Sequence, residues 1–134
     1  MNPTLLRILI ILIVLLTLGT SFAHLLLGYR EDDSRLFKVL YLLNGFGYLA
    51  LLVPLFVRWP GFTRFRSLWH GLFIAYTAIT IAAYLYTHSG MLWMGRLGVV
   101  NKANEVALIV VLFLHLIVGS AADTQKTISQ QQSR

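Results

Sequence analysis

Between Arg7 and Arg30 the chain reads ILIILIVLLTLGTSFAHLLLGY, residues 8–29, without a charged side chain in 22 positions. As a helix this stretch is about 33 Å long, enough to cross a hydrocarbon layer of about 30 Å. Three further runs follow the same logic. Residues 39–57 give 19 uncharged positions between Lys38 and Arg58, residues 67–95 give 29, and residues 106–122 give 17. The third run is helical over 68–88, before Ser89-Gly90. The fourth takes Gly98–Glu105 as its first turns and has Gly119-Ser120 near its end. The expected fold is therefore all-α, a transmembrane up-down four-helix bundle in one domain, residues 1–120. Its spans fall at about 5–28, 36–57, 68–88 and 99–119. Connections this short make consecutive helices antiparallel neighbours. Residues 121–134 form a polar tail without an apolar stripe, read as a solvated, frayed extension.

Composition agrees with this partition. Of 134 residues, 57% are hydrophobic and 12% charged, whereas soluble domains run about 45–50% and about 25%. Disorder, a water-covered globule and a large multidomain enzyme are all excluded. The net charge of +6 lies in short clusters between apolar runs, a pattern that suits a membrane surface and not a nucleic acid. With no cysteine, the chain has no disulfide, thiolate nucleophile, iron–sulfur cluster or cysteine-ligated metal. Arg7 followed by Leu/Ile and Ser21-Phe22-Ala23 also has the outline of a signal peptide. The run continues through His24-Leu25-Leu26-Leu27, beyond what a signal sequence needs, so it is read as a retained span.

Orientation follows from basic residues. Arg7, Arg58, Arg64, Arg66, Lys126 and Arg134 fall on the side of the termini, against Arg30, Arg35, Lys38, Arg96 and Lys102. The loop Arg58–Arg66 mixes basic and aromatic residues, which an anionic headgroup layer favours. The protein is expected in the cell membrane, multi-pass, with both termini cytoplasmic.

Small and polar residues mark the faces expected to look inward. Gly71, Ala75, Ala78 and Ala82 form a small-residue stripe on the third span, and Gly45 and Gly47 act similarly on the second. Polar stripes run through Thr17, Thr20/Ser21, His24 and Gly28; through Tyr41, Asn44 and Tyr48; through Thr77, Thr80, Tyr84 and His88; and through Asn101, Asn104/Glu105, His115 and Gly119. Antiparallel order brings His24, Asn44, Tyr84, His88, Lys102 and Glu105 to one level in the outer half. They are the candidate ligand-binding residues. The same residues also suit plain packing: Asn44 an interhelical hydrogen bond, Lys102 and Glu105 an interfacial i, i+3 ion pair.

Four histidines raise haem or chlorin ligation, pairing His24 with His88 and His70 with His115. The separation of His70 and His88, about 27 Å along the axis, puts both at interfaces. No His-Glu-x-x-His helix, nucleophile elbow or dinucleotide fingerprint is present. No catalytic residue and no metal site is assigned. The first span lacks the deep carboxylate of a small proton-coupled exporter.

In order, Ala23-His24-Leu25 with Gly28, Leu42-Leu43-Asn44-Gly45-Phe46-Gly47-Tyr48, Ala75-Tyr76-Thr77-Ala78-Ile79-Thr80 with Tyr84, and Asn101-Lys102-Ala103-Asn104-Glu105-Val106 resemble a group of small, uncharacterised prokaryotic four-span membrane proteins, archaeal ones especially. The likeness covers residues 5–117. It lies in size, in a histidine ending the first helix and in a Lys-x-x-Glu opening the last. Asn101 departs from it, standing where the group favours Asp. The resemblance implies the fold and draws attention to His24, Lys102 and Glu105; it implies no activity.

The sequence thus reads as a non-catalytic integral membrane protein, an accessory or scaffolding subunit of a larger membrane complex. Its partners would be the lipid bilayer and other membrane subunits or a second copy. The alternative is a small-molecule, lipid or quinone-binding protein using the outer-half cluster. The third reading is a haem- or chlorin-ligating subunit.

Overall fold

The computed structural model describes residues 3–57, 65–87 and 96–132, with side chains for 4–57, 65–87, 96–119 and 131. Four helices are present: α1 (Pro3–Arg30), α2 (Arg35–Phe56), α3 (Arg66–Thr87) and α4 (Arg96–Gln132). Each contains a segment long and apolar enough to cross a membrane. The α1–α2 connection is tight because Ser34 caps α2: its Oγ accepts from the Phe37 N–H at 3.4 Å. The Ser34 N–H in turn donates to Glu31 Oε1 at 3.1 Å, satisfying two donors at the turn.

The helices stand as a square. α1 packs against α2 and α4, α3 closes the remaining side against the same two helices more loosely, and α1 and α3 lie on the diagonal. Side-chain bonds fix the antiparallel order, pairing Ser21 with Gly45, Tyr48 with Thr80, and Asn104 with Thr20. The fold is the expected all-α, up-down four-helix bundle.

Its interior reverses a soluble core. Among the described residues, the buried polar side chains are Thr17, Thr20, Ser21, His24, His70, Thr77, Asn101, Glu105 and His115. Large apolar side chains such as Leu15, Phe22, Leu43, Phe46, Ile79 and Val100 are turned outward. Hydrocarbon solvates those side chains without cost, while a polar group facing it would lose its hydrogen bonds. The interior is layered. A polar layer around Glu105 lies at the end where α1 meets α2. Ile13, Phe73, Leu108 and Leu112 fill the middle, and His70 and His115 lie beyond it. Glu105 and His115 are about 15 Å apart along α4.

Two expectations are corrected. The stripe Gly71, Ala75, Ala78 and Ala82 is exposed, and a methyl on Gly71 would meet open space. At 100° per residue it lies roughly opposite His70, Phe73 and Thr77, whose burial sets the rotation of α3. By contrast, Gly45 and Gly47 do face neighbours. A Cβ on Gly45 would press on Leu25 and on the Ser21 carbonyl, and one on Gly47 would collide with the Tyr76 hydroxyl. The second correction concerns the tail. α4 does not fray after Gly119-Ser120 but remains helical to Gln132. Ala121, Ala122, Gln125, Lys126 and Gln130 favour helix, and no proline interrupts them.

Candidate functional site

The site is built on the buried carboxylate of Glu105, in the third turn of α4, with no exposed surface. Oε1 accepts from His24 Nε2 at 2.8 Å and Asn101 Nδ2 at 3.2 Å. Oε2 accepts from Lys102 Nζ at 2.6 Å and Thr80 Oγ at 3.2 Å. His24, Asn101 and Lys102 thus donate to one carboxylate from two helices, and the Thr80 hydroxyl stands against it from a third. The i, i+3 and i, i+4 spacings put Lys102, Asn101 and Glu105 on one side of α4.

Because a carboxylate only accepts, His24 Nε2 carries the proton facing it. In the neutral ring Nδ1 is then the acceptor, and Asn44 Nδ2 lies against the ring, 3.4 Å from Nδ1 and 3.2 Å from Nε2. The imidazole stacks on Tyr48, with centroids 5.7 Å apart and planes at 14°. Thr80 has one proton and two acceptors, the Thr77 carbonyl at 2.8 Å and Glu105 Oε2. The Tyr48 hydroxyl, 2.8 Å away, is therefore its donor. Lys102 is 13% exposed and lies over the Tyr84 ring, 5.1 Å from its centroid.

Beside this cluster, a cleft of about 510 Å³ opens laterally between α2 and α3, the loosest neighbours joined by chain order. Its walls are apolar and aromatic, including Phe37, Leu40, Tyr41, Leu43, Ile79 and Ala83. Its polar base is His24, Asn44, Thr80 and Lys102. Small-molecule sites commonly have this volume and this pairing of apolar walls with a few converging polar groups. On one wall Gly47, having no side chain, lets Tyr76 come close and donate its hydroxyl to the Asn44 carbonyl at 3.2 Å.

Of the six expected ligand residues, the structure joins His24, Asn44, Lys102 and Glu105 in direct contact and sets Tyr84 beside Lys102. His88 lies outside the described residues. Glu105 sits behind the cleft wall, not on it. Asn101 and Thr80 were legible as members of polar stripes but not as partners of Glu105. Tyr76 was missed, since an aromatic among apolar residues gives no sign of what its hydroxyl touches.

A second polar layer involves the other histidines. His70 Nδ1 faces the Arg66 carbonyl at 2.8 Å and so carries its proton. His70 Nε2 then accepts from His115 Nδ1 at 2.8 Å, and His115 Nε2 accepts from Arg66 Nη2 at 3.4 Å. Arg66, expected only as a loop charge, closes this ring at both ends. Bis-histidine haem sets two nitrogens on opposite faces of one iron; here the facing nitrogens are bonded to each other. No group of three or more His, Cys, Asp or Glu side chains suited to a metal occurs among the described residues.

Comparison with protein-family models, curated proteins and solved structures finds no match. The arrangement of side chains therefore carries the functional argument.

Proposed function

We propose that this integral membrane protein binds a small lipid-soluble molecule in the α2–α3 cleft, with its polar head at Lys102, Asn44 and His24. The reading rests on one observation: an apolar cleft opens toward the bilayer with a fully paired buried carboxylate directly behind its polar base. A structural ion pair alone needs no cleft, and a packing seam alone needs no charge. Polar groups inside a span are costly and tend to mark binding or conduction sites.

Native mass spectrometry of protein extracted from its own membranes in mild detergent tests this. Wild type and the outward variant Ala78→Trp should carry a lipid-soluble adduct at one per chain. Ala83→Trp, which fills the cleft from its wall, should lose it. Equal occupancy in both variants, or no adduct in wild type, overturns the reading.

An accessory-subunit role is supported by a different observation, the outward stripe Gly71, Ala75, Ala78 and Ala82 on α3. Small residues are where membrane helices approach one another closely. The same spectra test it: a protein partner or second copy at fixed stoichiometry should be lost in Gly71→Leu, and a wild-type chain free of any partner rejects it. Cytoplasmic termini follow the basic-residue count. With Lys102 paired inside the bundle and Arg66 bonded to His115, five basic residues stand against four. Labelling of Gln131→Cys by a membrane-impermeant maleimide in intact cells would contradict that orientation.

A further inference from the structure

We infer that the cleft selects a neutral headgroup bearing a carbonyl-type acceptor, and discriminates against both carboxylates and ammonium groups. This inference rests on the α2–α3 cleft being the binding site and specifies what enters it.

The polar groups at the base differ in what they have left to offer. The Thr80 proton is committed to Thr77 or Glu105, and the Tyr76 hydroxyl donates to the Asn44 carbonyl. Lys102 has three N–H groups and spends one on Glu105 Oε2. The Asn44 carboxamide has two, and one meets His24 Nδ1. Protons remaining at Lys102 and Asn44 can therefore be donated to a ligand, so the ligand must accept. Oxygens of Glu105, the obvious acceptors for a donor ligand, lie behind the wall and already take bonds from His24, Asn101 and Lys102.

Charge sharpens the choice. Lys102 is the one formally charged side chain lining the cleft among the described residues, and Glu105 behind it cancels that charge. The pair is neutral and sits where little water screens it. A carboxylate headgroup would leave a net negative charge or compete with Glu105 for Lys102. An ammonium would stand against Lys102 with no open carboxylate to meet it. A neutral carbonyl takes hydrogen bonds from Lys102 and Asn44 without disturbing the pair. A quinone ring and a glycerol ester share this chemistry; the aromatic wall of Phe37, Tyr41 and Tyr76 favours the flat ring.

Binding of decyl-benzoquinone, dioctanoylglycerol, decanoate and decyltrimethylammonium to the purified protein in detergent, followed by isothermal titration at neutral pH, tests the inference. The quinone should bind at least about tenfold more tightly than decanoate and the ammonium, since tenfold corresponds to about one useful hydrogen bond. The ester should fall between. The double variant Lys102→Met/Glu105→Gln removes both charges together, so the bundle keeps a neutral interior. It should retain binding of the alkyl chain but lose the preference for the carbonyl head. Tightest binding by decanoate or the ammonium, or an unchanged preference in the double variant, overturns the inference while leaving the cleft as a site. If no probe binds more tightly to wild type than to Ala83→Trp, the cleft reading itself fails, and this inference with it.

Discussion

Glu105 is surrounded by donors from three helices, and its pairing with Lys102 at 2.6 Å is the shortest polar contact it makes. Removing one member of such a pair leaves the other charge buried and unmatched, which costs about 3 kcal/mol or more. Lys102→Met should therefore lower stability by about that amount in detergent unfolding, while Lys102→Met/Glu105→Gln should recover most of it. Equal destabilisation by the single and double variants would show that the pair contributes packing alone. Asn44→Ala removes one interhelical hydrogen bond and should cost less, about 0.6 kcal/mol and no more than about 2. At this scale much was legible in the sequence. His24, Asn44, Lys102 and Glu105 converge because polar residues in a span turn inward and short loops fix their level. The partners Asn101 and Thr80 were not, because a stripe gives a face and not a distance.

Elements are where spacing alone misled. Gly71, Ala75, Ala78 and Ala82 recur with helical period, as do His70, Phe73 and Thr77, and a helix can bury one of two opposite faces. Burial of His70 and Thr77, with their bonds to backbone and to His115, decides the rotation of α3 and turns the small stripe outward. Glycines in the two settings should thus respond in opposite ways. Gly45→Ala pushes against Leu25 and the Ser21 carbonyl and strains the Ser21 Oγ bond to the Gly45 carbonyl at 2.8 Å; overpacking of this kind costs about 1–3 kcal/mol. Gly71→Ala meets nothing and should stabilise the isolated protein by about 0.5–1 kcal/mol through helix propensity. Thermal unfolding of both variants checks this, and a loss of stability in Gly71→Ala would place that face against a neighbour. The length of α4 was misjudged for another reason. Hydropathy marks where a helix leaves the membrane, not where it stops being a helix, and Ala121, Ala122, Gln125, Lys126 and Gln130 after Gly119 favour helix.

For the whole molecule, four uncharged runs separated by short basic connections were enough to give the architecture, because the bilayer admits few alternatives to closed helices. The lateral cleft was not legible. It depends on α2 and α3 packing more loosely than α1 and α2, a tertiary fact that the run of residues along either helix does not carry. The apolar layer of Ile13, Phe73, Leu108 and Leu112 separates the Glu105 cluster from the His70–His115 ring, so the cleft serves one half of the bundle. Occupancy of this cleft by a lipid-soluble ligand can be measured directly, because the chain has no native cysteine. Single-cysteine variants Ala83→Cys, in the cleft wall, and Ala78→Cys, on the outward face of α3, are labelled with a lipid-permeant maleimide with and without a decyl-benzoquinone substituted at every ring carbon, which leaves no position for the thiol to add to. The ligand should slow labelling at position 83 severalfold and leave position 78 unchanged; equal labelling rates with and without ligand at position 83 would contradict the account.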